Sequence, residues 1–410
     1  MRLTFSLFAQ AIIICSIYIS CKNNDYPRYI LDTAPVIARP VTNMYGDTII
    51  VCNIGLLKDT IDFPMSLLFS EFEMVKLDDR DEAIMDLIYT SAVSENYLVL
   101  NSYNNGIKLY SRQGEYITDI SRRGNGPDEY RIGADNMVID ESENCIYISG
   151  SYLNKILVFD LKGNPLQHIP LAIEKYARTI RFRIDKGKQL FYMAQGSLSS
   201  ENDLAYWIQD KDGNMINQVS AGHLAVEGAD FSNRLGEIMN TTALDYAIGY
   251  WWVEDRIDSL YQYDPSKNRI IPVFTANLTS IPTYHMYIDL PCHFLIQMGD
   301  YGGVLTNYKH ILIDKQTLKG SYVRFKYDML GNMGGQDWLS FRHGVFINSI
   351  APYELLNKWQ GSEGFSELPP NMEKFMKYIQ THDTEDMNNV VLIGKLKQNL
   401  DEEFVLHDMN

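Results

Sequence analysis

Arg122 and Arg123 open a stretch dense in glycine and carboxylate, "RRGNGPDEYRIG". Residues of these types could cradle a phosphate, hold a cation or grip an anionic ligand. A dinucleotide loop needs G-x-G-x-x-G after a strand and at the start of a helix, with its amides aimed at phosphate. Here Asp128 and Glu129 follow Pro127, and strand-like sequence follows them, so a phosphate would meet carboxylates. The glycines then read as a turn. Arg122 and Arg123 stand either as solvated loop ends or as a grip for an anionic ligand.

Eight histidines are present, none in an HxxxH or HExxH pattern. His293, His310 and His343 could meet near a common axis and ligate a metal. Scattered histidines more often sit satisfied in strands or at the surface. The densest aromatic cluster is Tyr250, Trp251 and Trp252. In a strand Trp251 and Trp252 face opposite sides, so one packs in the core and the other could stack on a sugar ring or a peptide. "DKDGN" at 210–214 lacks the twelve-residue frame and closing glutamate of a calcium loop. No G-x-S-x-G occurs. Nothing here calls for a cofactor.

Those residues must be held by something, and composition says what kind of scaffold to expect. The chain has 410 residues, 46% hydrophobic and 12% aromatic, with 27 tyrosines. That is ample for a large core and favours pleated, half-buried surfaces. A net charge of -16 excludes nucleic acid as a natural partner, since phosphate backbones recruit lysine and arginine. Cys52, Cys145 and Cys292 are widely spaced, which fits neither a zinc site nor a disulfide framework; Cys145 and Cys292 read as small strand residues in the core.

The N-terminus, "MRLTFSLFAQAIIICSIYISC", carries Arg2 and a short apolar run from Ala11 to Ile19. That run is too short to span a bilayer and fits a secretory leader. Ser20-Cys21 resembles the lipobox of bacterial lipoproteins, with Tyr18 where leucine is usual, and the resemblance makes Cys21 the lipidated first residue of the mature chain. The polar, proline-containing stretch after it begins as a tether.

Internal repeats give the architecture. Five segments begin at Ile107, Ile156, Tyr206, Leu260 and His310. Each reads strand, polar turn, strand. The residue before the turn is Ser111, Asp160, Asp210, Asp264 or Asp314, at intervals of 49 to 54 residues. Aspartate there can bond its own downstream backbone, which predicts a β-hairpin in each. A continuous apolar strand precedes each hairpin, as strands buried on both faces require. A four-stranded unit with a period near 50 predicts propeller blades. A sixth unit combines 337–351 with 389–397, and the strand "DFPMSLLFSEFEMVKL" is expected to join it and close the ring. Between those parts, Leu355, Leu356 and Trp359, then Met372, Phe375, Met376 and Ile379, recur at helical spacing.

The stretch 122–166 resembles an NHL-type propeller repeat: a glycine-rich connection, Val138–Asp140, Ile146–Ile148, Asn154-Lys155-Ile156, and Val158-Phe159-Asp160 with Gly163. More closely, Gly124, Gly126, Pro127, Glu129 and Tyr130 match the G-x-G-P-x-E-Y junction of six-bladed β-propeller lipoproteins from Gram-negative gut-type bacteria, a TolB-like group. The fourth and fifth hairpins depart from the pattern in lacking a turn glycine. The resemblance implies an all-β, six-bladed propeller on the periplasmic or outer face of the outer membrane, acting as a binding or scaffolding module for a glycan, a peptide or an envelope protein. The alternative it implies is a lyase or hydrolase using a channel-bound metal. The organisation expected is a leader at 1–20, tether and lead-in strand at 21–60, propeller at 61–398 with a helical insertion at about 352–388, and a tail at 399–410.

Overall fold

The computed structural model describes residues 30–173, 180–196, 198–225, 234–239, 247–252, 259–278, 284–301, 305–335, 338–361, 368–384 and 386–407, with backbone only at 234–239, 247–252, Tyr284, Tyr301 and Leu305. Cys21 lies outside the described residues.

Six four-stranded antiparallel blades form a ring. Blade 1 comprises Ile88–Val93, Tyr97–Ser102, Gly106–Ser111 and Tyr116–Ser121, ordered from the axis outward. Blades 2 to 5 repeat that order, starting at Ala134, Ile180, Arg234 and Tyr284. Blade 6 takes Phe341–Arg342, Val345–Ile350 and Val390–Leu396 from the C-terminal region and its outer strand, Phe69–Lys76, from the N-terminal one. That strand pairs antiparallel from Val390↔Lys76 onward, and so closes the ring as expected.

Closure is also visible in the core. Each seam between neighbouring blades holds its own apolar cluster, including the one between blades 6 and 1, where Val75, Val391 and Ile393 meet Leu98, Leu100 and Tyr110. Both faces of the second strand of blade 1 are covered, which is why Leu98–Ser102 is a continuous run of buried residues.

The five hairpin aspartate and serine positions do what their chemistry predicts. Asp160 Oδ1 accepts from the amides of Lys162 at 2.9 Å and Asn164 at 2.8 Å. Asp210 Oδ1 accepts from Asp212 and Asn214 at 2.9 Å each. In blades 1 to 3 the left-handed turn position is glycine: Gly114, Gly163 and Gly213, with φ of 89°, 84° and 83°. In blades 4 and 5 it is Asn268 at 45° and Leu318 at 59°. Asparagine tolerates that region, whereas leucine is strained there by about 1–2 kcal/mol.

The stretch expected to hold a tether and a lead-in strand is strand from Ala38. A hairpin of Ala38–Thr42 and Thr48–Asn53 adds to the outer strand of blade 4, parallel, with Ile50 opposite Phe274. Thr60–Pro64 adds to blade 5, parallel, with Phe63 opposite Phe325. The N-terminal segment thus belts the rim from blade 4 to blade 6. Cys52, on that belt, is the buried cysteine, while Cys145 and Cys292 are only half-buried.

Within blade 6, helices α1 (Pro352–Gln360) and α2 (Pro370–Thr381) fill the expected insertion. Leu355, Met372, Phe375, Met376 and Ile379 are buried against the cluster between blades 5 and 6.

Candidate functional site

In an antiparallel blade the links alternate between the ends of the ring. Blade-to-blade links and second-to-third-strand loops therefore emerge on one face, called upper here. The stretch 122–133 is the upper-face link from blade 1 to blade 2.

This link is a latch. Gly124 N–H donates to the Tyr130 carbonyl at 2.9 Å, and Tyr130 N–H to the Arg122 carbonyl at 3.2 Å. Glu129 folds back so that Oε2 accepts from the Gly126 amide and Oε1 from Arg122 Nε, each at 2.8 Å. The Arg122 guanidinium, then the Gly126 amide, hold its carboxyl below the usual range. A Cβ at Gly124 would collide with that carboxylate and displace it from its partners. Tyr130 drops into the seam between blades 1 and 2, where its hydroxyl donates to Asn101 Oδ1 at 3.0 Å and burial pushes the phenol up. His168 Nδ1 accepts from the Val158 amide at 3.0 Å, which leaves Nε2–H to donate to Asp128 Oδ1 at 2.8 Å. The junction is therefore a structural joint, as its glycines suggested, and its two carboxylates are engaged within the protein.

Next to the latch lies a second surface, built around Arg123. Arg123 Nε donates to the Arg131 carbonyl at 3.1 Å, and Nη1 to the Tyr103 hydroxyl at 2.5 Å, with the guanidinium 5.0 Å above the Tyr103 ring. Among the described residues no carboxylate pairs with Arg123 or Arg131. Around them Leu87 is 77% exposed, Tyr103 57%, Tyr89 42% and Ile132 42%. Three upper loops meet here and are tied together. Asn105 Oδ1 accepts from the Asp86 amide at 2.9 Å, and Asn104 Nδ2 donates to the Asp86 carboxylate. Arg123 stitches 103–105 to 122–133. Arg123 was legible as a candidate. Tyr103, Tyr89, Leu87 and Ile132 were not, because nothing in their local sequence marks an apolar side chain as exposed.

Among the described residues the three histidine candidates do not group. The strand pairing opposes His293 to Asp314 and Gln297 to His310, which sets the two histidines four residues apart along the ladder, about 13 Å. His310 is bonded to Gln297 Oε1 at 3.2 Å. His293 packs edge-on against Phe63, with ring centroids 6.2 Å apart. His343 sits in the first turn of blade 6 at φ 48°. Desolvation takes both His293 and His343 down to about 4. Among the described residues no three His, Cys, Asp or Glu side chains group as a metal site. Trp251 and Trp252 end the second strand of blade 4, and their side chains lie outside the described residues.

A groove of about 370 Å³ between blades 2 and 3 is lined by Asp140, Cys145, Tyr147, His168 and Lys186. Burial raises the Cys145 thiol, and both His168 ring nitrogens are engaged. A second cavity, about 360 Å³, lies beside His293 and is walled by Leu31, Phe63 and Asp314.

The ring of six blades, with its cross-tied upper loops, makes this a six-bladed β-propeller. The family model of a domain of unknown function, DUF4934, matches residues 49–395, and the chain belongs to that family. A Bacteroides fragilis protein described as exported has a solved structure that aligns over 85% of this chain and 99% of its own, at 12% identity and a TM-score of 0.59. A member of the DUF4221 family from Bacteroides vulgatus aligns over 79% of this chain and 95% of its own, at 8% identity and a TM-score of 0.45. At 12% identity the first likeness extends to the fold alone. No curated protein matches the chain. Among the described residues no helix is long and apolar enough to cross a membrane.

Proposed function

We propose that the protein is a binding module of the bacterial envelope, anchored to the outer membrane by a lipid on Cys21, which engages its ligand with the upper face over blades 1 and 2. The observation that carries this reading is the Arg123–Arg131 pair, which no carboxylate neutralises among the described residues, set among exposed tyrosines and aliphatics in a chain of net charge -16. Propellers gather loops from separate blades at one face, where recognition can be built without altering the ring. The leader-like N-terminus, the resemblance to lipoprotein propellers and the exported description of the Bacteroides fragilis neighbour support the address.

Two measurements test it. Cys21→Ser should move the protein from the membrane fraction to the soluble one; unchanged sedimentation with membranes would count against the anchor. The full chain lacking lipid should bind isolated envelope vesicles saturably, and Arg131→Glu should abolish that binding. Non-saturable retention, or retention indifferent to Arg131→Glu, would remove the upper face from the function.

A further inference from the structure

We infer that the partner at this upper face is an acidic polypeptide segment that presents an apolar or aromatic side chain between carboxylates. The inference rests on the binding-module reading and specifies its ligand class.

Charge is the first argument. The carboxylates nearest the patch already have partners: Glu129 is held by Arg122 and the Gly126 amide, Asp128 by His168, Asp135 by Ser151 Oγ at 2.9 Å, and one oxygen of Asp86 by Asn104. Arg123 and Arg131 face solvent without such a partner among the described residues. Arg123 is tied by Nη1 to the Tyr103 hydroxyl and by Nε to the Arg131 carbonyl, so its planar fork is oriented before any ligand arrives. An incoming carboxylate gains a charge-assisted bond without displacing a native one.

Apolar exposure is the second. Leu87 and Ile132, on the loops that carry the patch, show more than 40% of their surface. Sugars stack on aromatic rings and gain little from isolated aliphatics. Tyrosine and arginine beside Leu and Ile form the mixture found at the centre of protein–protein contacts. The third argument is rigidity. Ties from Asn104, Asn105 and Arg123 join the three loops, so binding orders few new groups.

The test uses the full chain without its lipid and three fluorescent polymers: a random glutamate–tyrosine copolymer, polyglutamate of equal length, and polygalacturonate. The copolymer should bind saturably and roughly tenfold more tightly than polyglutamate, and added salt should weaken it. Arg131→Glu, whose side chain has no bonded partner among the described residues, and Leu87→Asp should each weaken the copolymer about tenfold while leaving the melting temperature unchanged. No saturable copolymer binding, or equal binding by both variants, overturns the inference. Tighter binding of polygalacturonate that Arg131→Glu abolishes also overturns it, yet leaves the binding-module reading standing. Sedimentation showing self-association that Arg131→Glu dissolves would replace the acidic partner with a second copy. Loss of Arg131 dependence with every polymer and with envelope vesicles alike would bring down the broader reading as well.

Discussion

Blades 1 to 3 and blades 4 to 6 solve one problem by different means. An outer strand exposes unpaired backbone groups that invite another chain. In blades 1 to 3 the outer strands are made poor templates. Tyr116–Ser121 pairs through two register shifts, Ile169–Pro170 is only two residues long, and Met215–Ser220 carries Asn217 and Gln218 outward. In blades 4 and 5 the outer strands are covered by the N-terminal belt, whose own edge strand contains Pro40. Blade 6 takes its outer strand from the belt itself. The bare half leaves its upper loops tied into an open surface; the belted half concentrates stabilising contacts around the closure. Disruption should therefore cost stability in the belted half, and surface changes in the bare half should cost binding instead.

The sharpest test of that contrast is a pair of outer-strand substitutions. Phe72→Ala removes a fully buried ring stacked 5.9 Å from Phe69 on the closing strand, and should cost about 3–5 kcal/mol in denaturant unfolding. Gln218→Ala, on the exposed outer strand of blade 3, should stay within about 0.5 kcal/mol. Equal losses would erase the distinction.

Acid should strike the belted half next. His285 and His293, both in blade 5, are buried and held near 4 by desolvation, against an ordinary value of 6.5. Between those values the unfolded chain binds more protons than the native one. Their stabilising contribution is whole above pH 6.5 and drains as pH falls through 4. Hydrogen exchange in 284–301 should accelerate on acidification before exchange in 97–121 does, and His285→Phe should blunt the effect. Simultaneous loosening would show that blade 5 is not the weak point.

Smaller effects belong to the latch. Gly124→Ala should push Glu129 off its two partners and destabilise by about 1–2 kcal/mol, with exchange in 122–130 rising. Arg122→Ala should leave the melting temperature unchanged, because its side chain is 82% exposed. A clear drop would mean that the Arg122–Glu129 pair holds the junction more than the Gly126 amide does.

Legibility followed the range of the interactions. The hairpins were readable because Asp160 and Asp210 bond amides two and four residues on, and so write themselves into a short window. The junction was readable because Glu129 and Gly126 are three residues apart. Leu318 was not foreseeable as a left-handed turn residue, since local propensity disfavours it and the surrounding packing overrules that preference. The three histidines could be named from the sequence, but their separation is set by strand register, which spacing along the chain does not disclose.

By itself the sequence determined the repeating blade, its turns and the number of blades, because those depend on hydrogen bonds and apolar alternation within some fifty residues. Tertiary structure alone decided where the belt lands, with Ile50 beside Phe274, and which loops share the open surface, with Asp86 tied to Asn105 and Tyr103 tied to Arg123 across three of them. Such contacts arise only after the ring shuts. Exposure and neighbourhood are properties of the closed surface, and no local pattern of residue types encodes them.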